Sequence, residues 1–110
     1  MSGYANVVDV KRGDVGVIFT DTLAATGLAN LNNVTSLLFL LRNHSTGTLV
    51  SKTATVTNSA TLTVQYVTQS GDLGTAGVYL QEWELTFNDG SVLTFPSRGY
   101  NLVRVADDLN

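Results

Sequence analysis

Residues 77–100 read GVYLQEWELTFNDGSVLTFPSRGY. Tyr79, Gln81, Trp83, Leu85 and Phe87 alternate with Glu82, Glu84 and Thr86, which predicts a strand with one aromatic, largely apolar face and one acidic face. Asn88-Asp89-Gly90 follows, and Asp-Gly tolerates the positive φ angles that a tight connection needs. The return strand, Ser91 to Phe95, stops at Pro96, which has no N–H to give to a ladder. The stretch holds the only Trp and the only Pro of the chain and no plausible catalytic base. It reads as a rigid hairpin closing one sheet: Tyr79, Trp83, Leu85, Phe87 and Phe95 supply core, Asp89 and Gly90 the turn, Pro96 the end.

Period two continues on either side. Asn6 to Val10 and Asp14 to Asp21 read as strands separated by Lys11-Arg-Gly-Asp14. Thr53 to Asn58 and Thr61 to Tyr66 read as a hairpin, with Ala54, Val56, Leu62, Val64 and Tyr66 inward. Tyr100 to Val105 is a last strand, and Gly71 to Gly77 a flexible loop. The segment from Thr22 to Asn33 has Leu23, Leu28 and Leu31 on no helical stripe and carries Gly27 and several Asn, so an irregular or short helical turn is expected. Val34 to Arg42 is apolar on both faces at its centre, yet short and bounded by turn signals. About seven or eight short strands without a convincing helix indicate an all-β sandwich of antiparallel strands.

The chain of 110 residues makes one domain, with residues 106–110 as an acidic, flexible tail. Hydrophobic residues at 44% argue against disorder, and charged residues at 14% leave a surface rich in Thr, Ser and Asn. Such a surface suits contact with other proteins, although β-rich domains favour Thr in any case. The formal charge of -3 and six scattered basic residues give nucleic acid no basic face. There is no Cys, hence no disulfide and no thiolate metal site. The first residues lack a basic segment followed by an apolar run, so no signal peptide and synthesis in a cytoplasm are expected. The longest apolar run, Leu37 to Leu41, is too short to span a bilayer, and no membrane partner is expected.

Chemistry is sparse. His44 is the only histidine and reads as an exposed turn residue, not a ligand. Glu82 and Glu84 share a face as a catalytic pair would, and also as solvent-facing partners of neighbouring cations would. The glycines of 71–77 lack the Lys-Ser/Thr of a phosphate loop and lead into a strand. Arg12-Gly13-Asp14 matches an adhesion tripeptide and is equally ordinary turn chemistry. Asn33-Val-Thr35 and Asn43-His-Ser45 have the form of glycosylation sequons, which matter only on a secretory route. No catalytic residue, cofactor or metal site is assigned, and the chain is not expected to be an enzyme.

Two features call for partners. If Leu37, Phe39 and Leu41 fill the core, Leu38 and Leu40 point outward, or the reverse, and a second subunit or the segment 22–33 covers the outward leucines. Leu38 and Leu40 are therefore the candidate interface. Trp83 either plugs the core between sheets or offers a stacking platform to a sugar.

Thr75-Ala-Gly-Val-Tyr79, Trp83 to Gly90, Leu93-Thr-Phe-Pro96 and Tyr100 to Val105 together resemble the immunoglobulin-like domains of tailed-bacteriophage virion proteins, notably the N-terminal domain of the baseplate upper protein family. The earlier half agrees in outline, through Arg12-Gly-Asp14 before a strand, Leu28 to Thr35, and a hairpin near Thr46-Gly47. The resemblance implies an immunoglobulin-like β-sandwich and a non-enzymatic structural role on a phage particle. It implies contacts with other virion proteins and with copies of itself. Because that family continues into long C-terminal receptor-binding regions and this chain ends at Asn110, a tail, neck or baseplate accessory, a fibre-anchoring adaptor or a capsid decoration is the expected role. The alternative is a module binding carbohydrate or a host surface through Trp83 or the loops at 43–47 and 71–77.

Overall fold

A computed structural model of the chain describes residues 4–23, 30–96 and 100–107. These form nine strands and no helix: β1 (Tyr4–Lys11), β2 (Ile18–Thr22), β3 (Val34–Asn43), β4 (Leu49–Thr53), β5 (Thr55–Asn58), β6 (Thr63–Val67), β7 (Gly77–Phe87), β8 (Val92–Phe95) and β9 (Tyr100–Ala106). Six strands make one sheet in the order β1-β9-β7-β3-β4, with β8 also on β7, and the other three make a second sheet in the order β2-β6-β5. This is an immunoglobulin-like sandwich, with β2, β6 and β5 in the places of strands B, E and D, and β3, β7 and β9 in those of C, F and G. Two details differ from expectation. The strand β4 raises the count to nine, and β1 pairs with β9 in parallel, so the pairing is not wholly antiparallel.

The long strand β7 organises the larger sheet. Its one edge pairs with β3 from Val34↔Phe87 to Asn43↔Tyr79. Its other edge is shared, taking β8 at Trp83 to Thr86 and β9 at Gly77 to Gln81. The ladder with β8 ends where Phe95 faces Trp83, one residue before Pro96, as a missing N–H requires. At the hairpin, Gly90 takes a φ of 87° and donates its N–H to Phe87 O over 2.9 Å. Ahead of β7 the Tyr79 hydroxyl donates to Thr75 O over 2.7 Å, the tyrosine corner of immunoglobulin-like sandwiches.

The core lies between the sheets. Leu37, Phe39 and Leu41 of β3, Tyr79, Trp83 and Leu85 of β7, and Val103 and Val105 of β9 meet Phe19, Val64 and Tyr66 of the smaller sheet. Phe39 sits at the centre, 4.5 Å from the Tyr66 ring in a stacked contact, 5.1 Å from Phe19 and 5.4 Å from Trp83 edge-on. Offset and edge-on contacts of this kind suit the ring quadrupoles, adding about 0.5–1.5 kcal/mol per pair beyond burial. Phe87 and Phe95 flank this cluster, partly buried.

Several sequence expectations change in detail. Asp14 to Val17 is not strand; the Asp14 carboxylate instead accepts Lys11 N–H over 3.1 Å, and β2 begins at Ile18. Leu62 is not within a strand but at the turn before β6, with φ 58°. Of the 22–33 segment, Leu23 and Leu31 are buried, while Leu28 falls outside the described residues. Ala106 belongs to β9 and Asp107 pairs with Arg12 at 3.0 Å, which leaves 108–110 of the expected tail outside the described residues.

Candidate functional site in the flank between the sheets

The predicted residues divide between core, turn and outer face. Tyr79, Trp83 and Leu85 are buried core, Asp89 and Gly90 form the exposed turn, and Pro96 follows β8 half-buried. Asp89 earns its place through Oδ1, which accepts Ser91 N–H at 2.9 Å and Ser91 Oγ–H at 2.6 Å, and these bonds hold its carboxyl below the usual range. Leu38 and Leu40 do point outward, half-buried, on the face of the larger sheet away from the core. There Leu40 stands opposite Glu82, and Arg42 lies level with Leu80 and Leu49. A shallow hollow of about 180 Å³ lies among Leu40, Arg42, Leu49, Leu80, Glu82 and Tyr100.

Trp83 is 1% exposed, so it is no platform for a sugar. Its indole N–H donates to Asp21 Oδ2 over 2.9 Å, across the sandwich from β7 to β2. Of the two sequons, Asn43 is buried, and its Oδ1 accepts the N–H groups of Ser45 and Thr46 at 2.9 and 3.0 Å. That amide is spent on holding the β3–β4 turn, in which His44 is exposed. Among the described residues no group of three or more His, Asp or Glu is placed to hold a metal ion.

One cavity was not legible in the sequence. It opens at the flank where the edge strand β2 faces β1 and β9, and measures about 380 Å³, within the usual range for ligand pockets. Val7, Val8, Ile18, Phe19 and Val103 give it apolar walls, and Asp21, Gln81, Trp83 and Asn101 a polar end. Each of those polar groups sits at an inward-facing position of its strand. Asn101 Nδ2–H donates to Gln81 Oε1 over 2.7 Å and to Asp21 Oδ2 over 3.1 Å. Gln81 turns its own amide N–H to Glu82 O at 2.8 Å. Both donors to Asp21 thus converge on Oδ2. Oδ1 accepts nothing from the described residues, and among them no buried side-chain oxygen or nitrogen lacks a partner, so Oδ1 is not sealed in the core; Asp21 itself lines the cleft. The signal in sequence was polarity at core parity: Gln81 between Tyr79 and Trp83, Asn101 two before Val103, and Asp21 two after Phe19.

A second polar knot lies at the 69–72 turn. Asp72 is buried; its Oδ2 accepts the Tyr66 hydroxyl and Gln69 N–H, the latter at 2.8 Å, and Lys52 Nζ stands 3.9 Å from its Oδ1. Burial first, and then the hydrogen bond and charge of Asp72, push the Tyr66 phenol far above its usual range. This knot ties the loop to the core, and its residues line two hollows of about 190 Å³ each, half the volume of the flank cleft.

No family model matches the chain, and no curated protein matches it. Among solved structures, the crystal structure of CopC from Methylosinus trichosporium OB3b is similar, with a TM-score of 0.57 at 14% identity over 96% of this chain and 89% of that one. At that identity the likeness shows the fold alone. The expectation of a structural protein of a bacteriophage virion is corrected by this finding: CopC is a structure that shares the fold, and no virion protein family is matched. With it falls the alternative built on Trp83, whose ring is inside the core. What the chain shares with CopC is the all-β sandwich.

Proposed function

We propose that the domain is a non-catalytic binding module whose receptor site is the cleft between β2 and the β1–β9 edge. The observation that carries this reading is Asp21, a half-buried carboxylate that lines an apolar-walled cleft and takes both of its donors among the described residues on one oxygen. Among the described residues no Lys, Arg or His lines the cleft. A ligand anion about 4 Å from Asp21 would meet roughly 1–4 kcal/mol of repulsion, depending on how far water screens it. The site therefore suits a neutral or cationic amphiphile that brings an N–H or ammonium donor to Oδ1. Among the described lining residues Asp21 is the sole ionisable side chain, with no base, acid or nucleophile beside it to share acid–base or nucleophilic work, which supports a binding role.

The test is a chemical-shift titration of the full chain with hexylammonium and, separately, with hexanoate. Hexylammonium is expected to move the Trp83 indole and Asn101 side-chain signals, and Asp21→Asn to abolish the effect. Equal response to both ligands, or none to either, would sink the reading.

A second reading rests on the outer face of the larger sheet, where Leu38, Leu40 and Leu80 lie beside Glu82, Glu84 and Arg42. Two copies related by a twofold axis can set Arg42 of one against the glutamates of the other, an isologous contact. Solution mass that rises with concentration, and fails to rise in Leu40→Asp, would support self-association. A constant monomer mass would dismiss it.

A further inference from the structure

We infer that the occupant of the flank cleft is an extended polypeptide strand that adds to the unpaired edge of β2; this rests on the binding reading above and names its ligand. Backbone parity comes first. Leu23 N–H donates to Leu62 O over 2.8 Å, and Thr68 N–H to Val17 O over 2.9 Å, at the two ends of a ladder in which Ile18 faces Val67 and Thr22 faces Thr63. Hydrogen-bonded positions alternate in an antiparallel pair. Odd-numbered residues of β2 thus bond to β6, and the N–H and C=O groups of Ile18, Thr20 and Thr22 point to the other side. Among the described residues β6 is the sole neighbour of β2. In constant-type immunoglobulin domains strand A belongs to the sheet of B, E and D. Here β1 goes to β9 on the opposite sheet, so nothing described stands in that place.

The edges of β1, β5 and β4 are blunted in ways that β2 is not. The pairings of β1 and β5 contain register shifts, and β4 carries the exposed Lys52; bulges and lysines are common guards against strand addition. The β2 ladder has no shift, and its sequence Ile-Phe-Thr-Asp-Thr has no Lys, Arg or Pro.

A strand laid about 4.8 Å from β2 would turn every second side chain into the cleft, level with Phe19 and Asp21. The residue beside Phe19 meets Val8 and Val103. The residue beside Asp21, two positions along, meets a carboxylate oxygen that accepts nothing from the described residues, and no Lys, Arg or His stands among the described lining residues. Recognition thus asks for an apolar residue and a Lys or Arg two apart, in a segment free of proline. Backbone bonds supply affinity, and the alternate side chains supply choice.

The experiment uses the full 110-residue chain and the capped peptide acetyl-Thr-Val-Thr-Lys-Thr-Val-Thr-amide, whose symmetry serves either strand direction. Amide hydrogen exchange should slow by roughly tenfold or more at Ile18, Thr20 and Thr22 when peptide is bound. Replacing the peptide lysine by glutamate should weaken binding at least about tenfold. Ile18→Pro, which places proline at the first position of an edge strand where it is tolerated, should weaken it while the fold is kept. Unchanged exchange at these three amides at saturating peptide, with hexylammonium still moving the Trp83 and Asn101 signals, overturns strand addition and leaves the cleft reading standing. Silence toward both ligands overturns both.

Discussion

The Trp83 indole N–H reaches Asp21 Oδ2 at 2.9 Å from the opposite sheet, 62 positions away along the chain. A hydrogen bond to a charged group contributes about 1.5–3 kcal/mol, and here it also sets the distance between β7 and β2 at the mouth of the cleft. This explains why the position takes tryptophan when phenylalanine would fill most of the same core. Trp83→Phe is expected to cost about 2–4 kcal/mol in urea unfolding, through the lost donor and the residual void. Combined with Asp21→Asn in a double-mutant cycle, it should show a coupling of about 1 kcal/mol or more. Strictly additive effects would mean that the two side chains do not act as a tie.

Tyr66 makes alkaline stability a test of the Asp72 knot. Burial, followed by the Asp72 carboxylate, raises its phenol well above tyrosine's ordinary value near 10. Above about pH 10 the unfolded chain releases this proton while the folded chain keeps it, so the unfolded state binds fewer protons and stability falls as pH rises. The contribution is complete below that pH. Tyr66→Phe should be less stable than the parent at pH 8, yet lose less between about pH 9 and 11. Parallel curves for the two proteins would refute the assignment.

Glu82 is a carboxylate in an unfavourable place. Partial burial first, and Glu84 second, raise its pKa, against a smaller opposing pull from Arg42. The folded state therefore holds its proton to higher pH than the unfolded chain, and stability declines as pH rises through the unfolded and then the folded value. Above that window Glu82→Gln should stabilise the protein, by less than about 1 kcal/mol given its solvent exposure. Well below it the gain should vanish. A destabilised Glu82→Gln at pH 7 would show that the ionised carboxylate is wanted there.

The fold was readable where burial imposed a strict alternation. In β7 every second residue from Tyr79 to Leu85 is buried, and the Asp89-Gly90 turn and Pro96 mark where the hairpin bends and stops. β4 was missed because its sequence, Leu49 to Thr53, has a burial pattern that is exposed at nearly every position, which leaves no apolar period to detect. The cleft was hidden for another reason. Asp21, Gln81 and Asn101 come from three strands, and sequence spacing carries nothing about strands meeting across a sandwich. Each was visible as a polar residue at a core position, a local inconsistency of the sort that functional sites produce. A strand apolar on both faces must show one of them, and spacing left open which; Leu38 and Leu40 are the pair turned outward.

The parallel pairing of β1 with β9 has a mechanical consequence. Tyr4 lies beside Tyr100 and Lys11 beside Ala106, so the chain enters the domain at one end of this pair and leaves at the other. Tension applied through residues 4 and 106 loads all the rungs between the two strands together, in shear. Tension through residues 4 and 100 peels them apart one after another. Single-molecule pulling should therefore find the first geometry markedly stronger than the second, and equal rupture forces would contradict the pairing. Copies joined end to end would extend in line and resist a pull along their common axis.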